Sequence, residues 1–176
     1  HMASAAESPT KEFIPRTIDP NDERALLEAI KKWVQAEVRP VVMEHDHGDI
    51  WPEKLVGQMA EMGLFGATIG EEYGGLGLPA TTYAKIVTHI SSYWMAITGI
   101  FNSHLIMAAA VERFGTEEQK RHWLPQMVAG TAIGSLGMTE PHAGSDLKNI
   151  RTRAVRDGDD YVINGQKVFI SNGQLC

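Results

Sequence analysis

Leu136-Gly137-Met138-Thr139-Glu140-Pro141-His142-Ala143-Gly144-Ser145-Asp146 is the stretch on which the reading of this chain turns. Before it the apolar residues recur at helical spacing; after it come β-prone runs and explicit turns. A strand is expected to deliver the chain into a loop of small and hydroxylated residues. Gly144 has no Cβ to hold a ligand off the backbone. Thr139 and Ser145 add hydroxyls, successive backbone N–H groups in such a loop can form an anion-binding concavity, and Pro141 stiffens the turn. The loop can therefore hold a polar ring edge at one end and a phosphate at the other. An ordinary connection between two strands would have the same composition, and the residues alone leave both readings open.

Toward the amino terminus the spacing predicts helices. Asp19-Pro20 offers a cap and a proline at the first helical position, with Asp22 and Glu23 in the favourable first turn. Leu26, Leu27, Ile30, Trp33, Val34 and Val38 then make one apolar face, and Pro40 kinks or ends that helix. A second helix is expected from Pro52, with Leu55, Met59 and Met62 inward and Gly63 as its stop. After the glycine-rich connector Gly70–Gly77, two nearly uncharged helices are predicted over 81–98 and 103–114, broken near Gly99 to Asn102. Thr116-Glu117-Glu118-Gln119 has the form of a capping box, so a further helix should run to about Val128, with Gly130 beyond it.

Toward the carboxy terminus the residues from Ala132 suit strands. Asp157-Gly158 and Asn164-Gly165 each separate β-prone runs, and Asn172-Gly173 follows Val168-Phe169-Ile170. About four strands are expected there, with open edges that need partners. The fold class predicted is α+β, mostly α. A scar and leader occupy 1–18, a helical domain 19–130, and the first strands of an incomplete β-barrel-like domain 131–176.

The composition, 43% apolar and 22% charged, is that of a globular chain with a core, not a disordered one. A formal net charge of −6 argues against nucleic acid, whose binders carry a basic footprint. Cys176 is the single cysteine, which excludes a disulfide framework and points to a reducing cytoplasm. No secretory signal is visible; His1-Met2 reads as a cloning scar. The stretch from Ile86 to Val111 carries no formal charge, but its polar interruptions leave no run of the ~20 apolar residues that a bilayer span needs. No membrane partner is expected.

Three further motifs stand in order around the central loop. Glu71-Glu72-Tyr73-Gly74-Gly75-Leu76-Gly77 precedes it. So does Phe114-Gly115-Thr116-Glu117-Glu118-Gln119-Lys120, with Leu124-Pro125. Tyr161-Val162-Ile163-Asn164-Gly165-Gln166-Lys167-Val168-Phe169-Ile170-Ser171-Asn172-Gly173 follows it. Together with Thr139-Glu140-Pro141 and Ala143-Gly144-Ser145-Asp146, they resemble the acyl-CoA dehydrogenase family over about residues 22 to 175. The resemblance implies FAD as cofactor. Leu136, Met138 and Thr139 match positions whose backbone and hydroxyl groups address the flavin ring. Ser145 matches a position near the cofactor and the acyl-CoA phosphates. Phe169 and Ser171 match the pair that packs against the flavin and hydrogen-bonds to it. An aromatic ring there can wall off the isoalloxazine. The Thr139 and Ser171 hydroxyls would lie near N5, where donors stabilise charge arriving with a hydride.

The reaction implied is α,β-dehydrogenation of an acyl-CoA thioester. A glutamate takes the α proton, the β hydride passes to FAD, and electrons leave to an electron-transfer flavoprotein. The family's base lies in a carboxy-terminal helical domain with no match here, and Glu140 belongs to the cofactor motif. The chain is therefore expected to lack a catalytic base and to be inactive alone, and a homo- or hetero-oligomer is expected. Two departures stand out. His142 replaces a small residue and is assigned to the surface, and Phe169 replaces a common tryptophan while keeping the ring wall.

Other patterns carry less. Gly75-Leu76-Gly77-Leu78-Pro79-Ala80 has a dinucleotide-like spacing. However, no clean strand precedes it, and no acidic residue lies between Glu72 and Glu112 to bind a ribose. Glu44-His45-Asp46-His47-Gly48-Asp49 reads as a solvated helix end before it reads as a metal site. Trp33, Trp51, Trp94 and Trp123 read as packing, and the uncharged helices as core, although they can also line an acyl pocket. A non-catalytic half-subunit completed by a partner chain is the alternative function. A relative using the scaffold for oxygen or nitro chemistry is a third.

Overall fold

The computed structural model describes residues 16–174 and 176, so most of the leader assigned to 1–18 lies outside the described residues. Among them are six α-helices and one two-stranded sheet. The helices are α1 Pro20–Trp33, α2 Val42–Gly48, α3 Glu53–Glu61, α4 Ala80–Ser91, α5 Met95–Phe114 and α6 Glu117–Val128. The strands are β1 Arg153–Asp157 and β2 Asp160–Asn164. The chain is thus mostly helical, with strands confined to its carboxy-terminal part.

Side-chain caps start two of these helices, α1 and α6. Asp19 accepts from the amides of Asn21 (2.8 Å) and Asp22 (3.4 Å), two donors that a bare helix end leaves unmatched. Thr116 and Gln119 make a reciprocal capping box at the head of α6. α1 gives way to a wider π-helical turn over Val34–Val38, where Arg39 N–H reaches back to Val34 O at 2.8 Å. A proline ring at position 40 would press on the carbonyl of residue 36 if the α-helix ran on, and the wider turn takes the chain off that axis.

The core lies between α1, α4, α5 and α6 and the turn Leu64–Gly66, where Ile30, Met59, Phe65, Ile86, Phe101 and Leu124 are fully buried. Polar ties fix the helices at its edge. Glu23 of α1 accepts from Thr82 Oγ1 (2.6 Å) and Lys85 Nζ (2.7 Å) of α4. Trp33 Nε1 donates to Gln58 Oε1 of α3 (2.9 Å), and Trp94 Nε1 to Asp46 Oδ1 of α2 (2.9 Å). Asp46 is thereby engaged in packing.

The glycine connector folds back on the turn before it. Leu76, Gly77 and Leu78 N–H groups donate to the carbonyls of Gly66, Ile69 and Ala67 at 2.9 Å each. A β-carbon at Gly75 would overlap the Ile69 carbonyl, so this residue is glycine for close backbone approach.

Two expectations are corrected. The uncharged stretch does not break near Gly99. It breaks at Ser92–Trp94, where Trp94 adopts an extended conformation (φ −152°), and α5 runs unbroken through Gly99 to Phe114. α5 is the one helix among the described residues long and apolar enough to cross a membrane, and it packs a buried stripe (Ile97, Phe101, His104, Leu105, Ala108) into the core. The second correction concerns strands. Instead of about four, the described residues contain one antiparallel hairpin, with Arg153 opposite Asn164 and Asp157 opposite Asp160. Its two-residue turn is Gly158-Asp159, with Gly158 at φ 63°.

Candidate functional site

α6 ends at Val128, Gly130 turns the chain with φ 71°, and Ala132 and Ile133 pack against the helical core as the chain runs on to Gly134. His104 receives it there. The Gly134 N–H donates to its Nδ1 at 3.0 Å, and its Nε2 lies 3.1 Å from the Phe65 carbonyl. One nitrogen accepts and the other donates, which fixes a neutral Nε2–H imidazole. Burial pushes its pKa down to about 4.

Beyond Gly134, residues 135–139 run beside 167–172 in the opposite direction. Ser135 Oγ donates to Ser171 O (2.6 Å), Val168 N to Thr139 O (3.0 Å), and Lys167 Nζ to Met138 O (3.1 Å). Asn172, at φ 63°, donates through Nδ2 to Ile100 O of α5 (2.8 Å) and to Gly134 O (3.3 Å). These segments were expected as strands and are not. One backbone bond joins them among the described residues, side chains supply the rest, and Phe169 at φ 56° interrupts the extended run.

Below this pair lies Glu140, a carboxylate buried to 3% exposure. Its Oε1 accepts from Thr152 N (3.0 Å), Thr152 Oγ1 (2.5 Å) and Lys167 Nζ (2.9 Å), and its Oε2 from Arg151 N (2.7 Å). His142 Nε2 stands 3.4 Å from Oε2 at the surface. The Thr152 hydroxyl, the Arg151 amide and Lys167 together hold the carboxyl far below the usual range. Glu140 and Ala143 also exchange backbone hydrogen bonds (2.9 and 3.1 Å), which closes the Pro141-His142 turn.

Comparison with known proteins places this arrangement. Residues 20–131 match the acyl-CoA dehydrogenase N-terminal domain and residues 135–176 match the middle domain. The chain belongs to the acyl-CoA dehydrogenase family. It is 37% identical over 162 residues to the mitochondrial long-chain specific acyl-CoA dehydrogenase of Sus scrofa, covering 91% of this chain and 37% of that one. It is similar to a glutaryl-CoA dehydrogenase of Mycobacterium smegmatis solved in complex with FADH2, at TM-score 0.77 and 32% identity over 90% of this chain and 41% of the other. It is also similar to a chain in the structure of the electron transferring flavoprotein of Acidaminococcus fermentans, at TM-score 0.83 and 34% identity over 93% and 43%. The chain spans less than half the length of these relatives.

Within this family member, the pairing of 135–139 with 167–172 puts Leu136, Met138, Thr139, Phe169 and Ser171 on two adjacent segments. Leu136 and Met138 are exposed, and Phe169 is 93% exposed. Ser145 stands apart, exposed in the loop before the turn Leu147–Asn149. The set fits a flavin. Three apolar side chains offer a wall. The hydroxyls of Thr139, Ser145 and Ser171 carry no hydrogen bond among the described residues. A β-carbon at Gly144 would meet nothing within 4 Å, so the loop backbone is open at that point. Sequence reasoning missed Lys167, Asn172 and His104 as the residues that hold in place the ledge formed by 135–139 and 167–172. The only signal was that Lys167 and Asn172 fall inside the last motif, and nothing marked His104.

Proposed function

We propose that this chain forms the flavin side of an acyl-CoA dehydrogenase site. The observation that carries the reading is the apposed pair of segments that collects Leu136, Met138 and Phe169 with the Thr139 and Ser171 hydroxyls. Phe169 and Met138 wall the ring, and the two hydroxyls donate to its polar edge where negative charge develops. Ser145 and the open backbone at Gly144 receive phosphate. When bound, FAD supplies the acceptor for the β hydride of an acyl-CoA thioester. The uncharged helices border the acyl chain, since Asn172 ties the ledge to the Ile100 carbonyl of α5.

Glu140 is not the base in this reading. Both its oxygens are occupied by donors and it stays ionised at neutral pH, with no room for a proton from substrate. The α proton goes to a group outside these residues, and the 176-residue chain is inactive alone. Electrons pass on to an electron-transfer flavoprotein. A cytoplasmic setting rests on the lone cysteine and is tested by cell fractionation. The deciding experiment purifies the protein at its full natural length, measures its FAD content, and assays a series of acyl-CoA thioesters with an artificial electron acceptor. Bound FAD that acyl-CoA bleaches supports the reading; a protein that binds no flavin, or whose flavin no acyl-CoA reduces, overturns it.

The exposed hairpin favours a second reading, a half-subunit completed by another chain. All ten positions of β1 and β2 are exposed, Val155, Tyr161 and Ile163 among them. Intact mass and sedimentation of the native protein decide it: a stoichiometric partner of different sequence supports the half-subunit, and a single longer chain rules it out.

A further inference from the structure

Glu140 is buried, charged and without a catalytic task, which is costly unless the charge organises something. We propose that Glu140 is a positioning residue that sets the spacing of the two flavin-facing segments through Lys167; the proposal rests on the flavin reading above.

Lys167 Nζ bonds both Glu140 Oε1 (2.9 Å) and Met138 O (3.1 Å), so one ammonium bridges a buried carboxylate and the backbone of the ledge. The next residue along, Val168, donates its N–H to Thr139 O (3.0 Å). Phe169 and Ser171 follow immediately on the same segment. Their placement relative to Thr139 is therefore set within a few residues of the point where the carboxylate aims Lys167. The same carboxylate takes the N–H groups of Arg151 and Thr152, the two residues that lead into β1. Motif loop, hairpin and ring-wall segment thus converge on one buried anion. If the anion were removed, the ammonium would keep a single carbonyl and turn to water, since Lys167 is already partly exposed. The link between Glu140 and the Met138 carbonyl would be lost with it.

The test uses the full-length protein reconstituted with FAD, with Glu140→Gln, Lys167→Met and Lys167→Arg. Glu140→Gln is expected to weaken FAD binding about tenfold or more and to alter the flavin visible bands. The cooperative loss of helix on heating should hold near wild type, because the carboxylate touches none of the helical core. Lys167→Met should behave alike, and the double variant should be no worse than Glu140→Gln alone, since both changes break one bridge. Lys167→Arg, which can still span carboxylate and carbonyl, should stay within about threefold of wild type. Wild-type affinity and spectrum in both Glu140→Gln and Lys167→Met, or losses that simply add, would overturn the proposal. If Glu140→Gln does not fold, the Lys167 pair decides. If the wild-type protein takes up no FAD, the flavin reading fails and amide exchange still judges the bridge. The Val168 N–H should exchange about tenfold faster in Lys167→Met, and an unchanged rate would sink it.

Discussion

Phe169 holds φ at 56° with nearly its whole ring in solvent, two features that a bulky apolar residue avoids when nothing requires them. Left-handed backbone at a residue with a Cβ costs about 1–2 kcal/mol. Phe169→Gly is therefore expected to leave the chain equally stable or about 1 kcal/mol more so in thermal denaturation, while lowering the FAD retained on purification. Greater instability of the glycine variant would show that the ring is packing, not waiting for a ligand. His104 gives a pH prediction. Its folded pKa, about 4, lies below the unfolded value near 6.5, so the unfolded chain binds the proton first as pH falls. The stability it contributes is complete above about pH 6.5 and declines toward pH 4, by up to about 1.4 kcal/mol per unit. Urea midpoints at pH 7.5 and 5 should separate wild type from His104→Gln, the wild type showing the steeper fall. Glu140 shows why sequence was blind at this scale. It stands in plain view inside a motif, yet its donors come from 11, 12 and 27 residues away, and only folding gathers them.

Elements whose signals are local were legible. Asp19 before Pro20 and Thr116 three residues before Gln119 each predict a helix start from groups that meet within one turn. Thr116→Ala should cost about 1 kcal/mol in chemical denaturation, with the unfolding slope unchanged. Where a signal has two uses, the spacing misled. The glycine at position 99 predicts a break, but it sits inside α5 with nothing within 4 Å of where a β-carbon would be. Gly99→Ala should accordingly stabilise the chain by about 0.5–1 kcal/mol, whereas a loop at this position would give no such gain. Asn164-Gly165 predicts a turn. Gly165 instead allows Thr152 to pass against the backbone, since a β-carbon there would overlap the Thr152 side chain. The β-prone runs before Glu140 and after Lys167 are not strands, because a single backbone bond joins them among the described residues, side chains make the other ties, and the left-handed Phe169 interrupts the extended run.

For the molecule as a whole, protection is distributed unevenly. The helical part buries a continuous core, while the hairpin buries no residue on either face. A two-stranded hairpin without a packed face is marginal in water. In hydrogen–deuterium exchange on the isolated chain, the amides of Arg153–Asn164 should exchange almost at once while those of α5 stay protected, and slow exchange in the hairpin would mean that something covers it. The recognisable motifs nearly all fall in connectors or at element ends, which is why the family was readable even where the strands were not.

The contacts of His104 and Asn172 bear on how relatives of this protein can be recombined. Each of those two side chains reaches across to main-chain atoms, the carbonyls of Phe65, Ile100 and Gly134 and the N–H of Gly134, groups that almost every sequence supplies. A chimaera spliced near residue 131 therefore inherits these hydrogen bonds from a parent pair that keeps the histidine, the asparagine and a glycine at 134, where a β-carbon would stand 2.8 Å from Met107 Cβ.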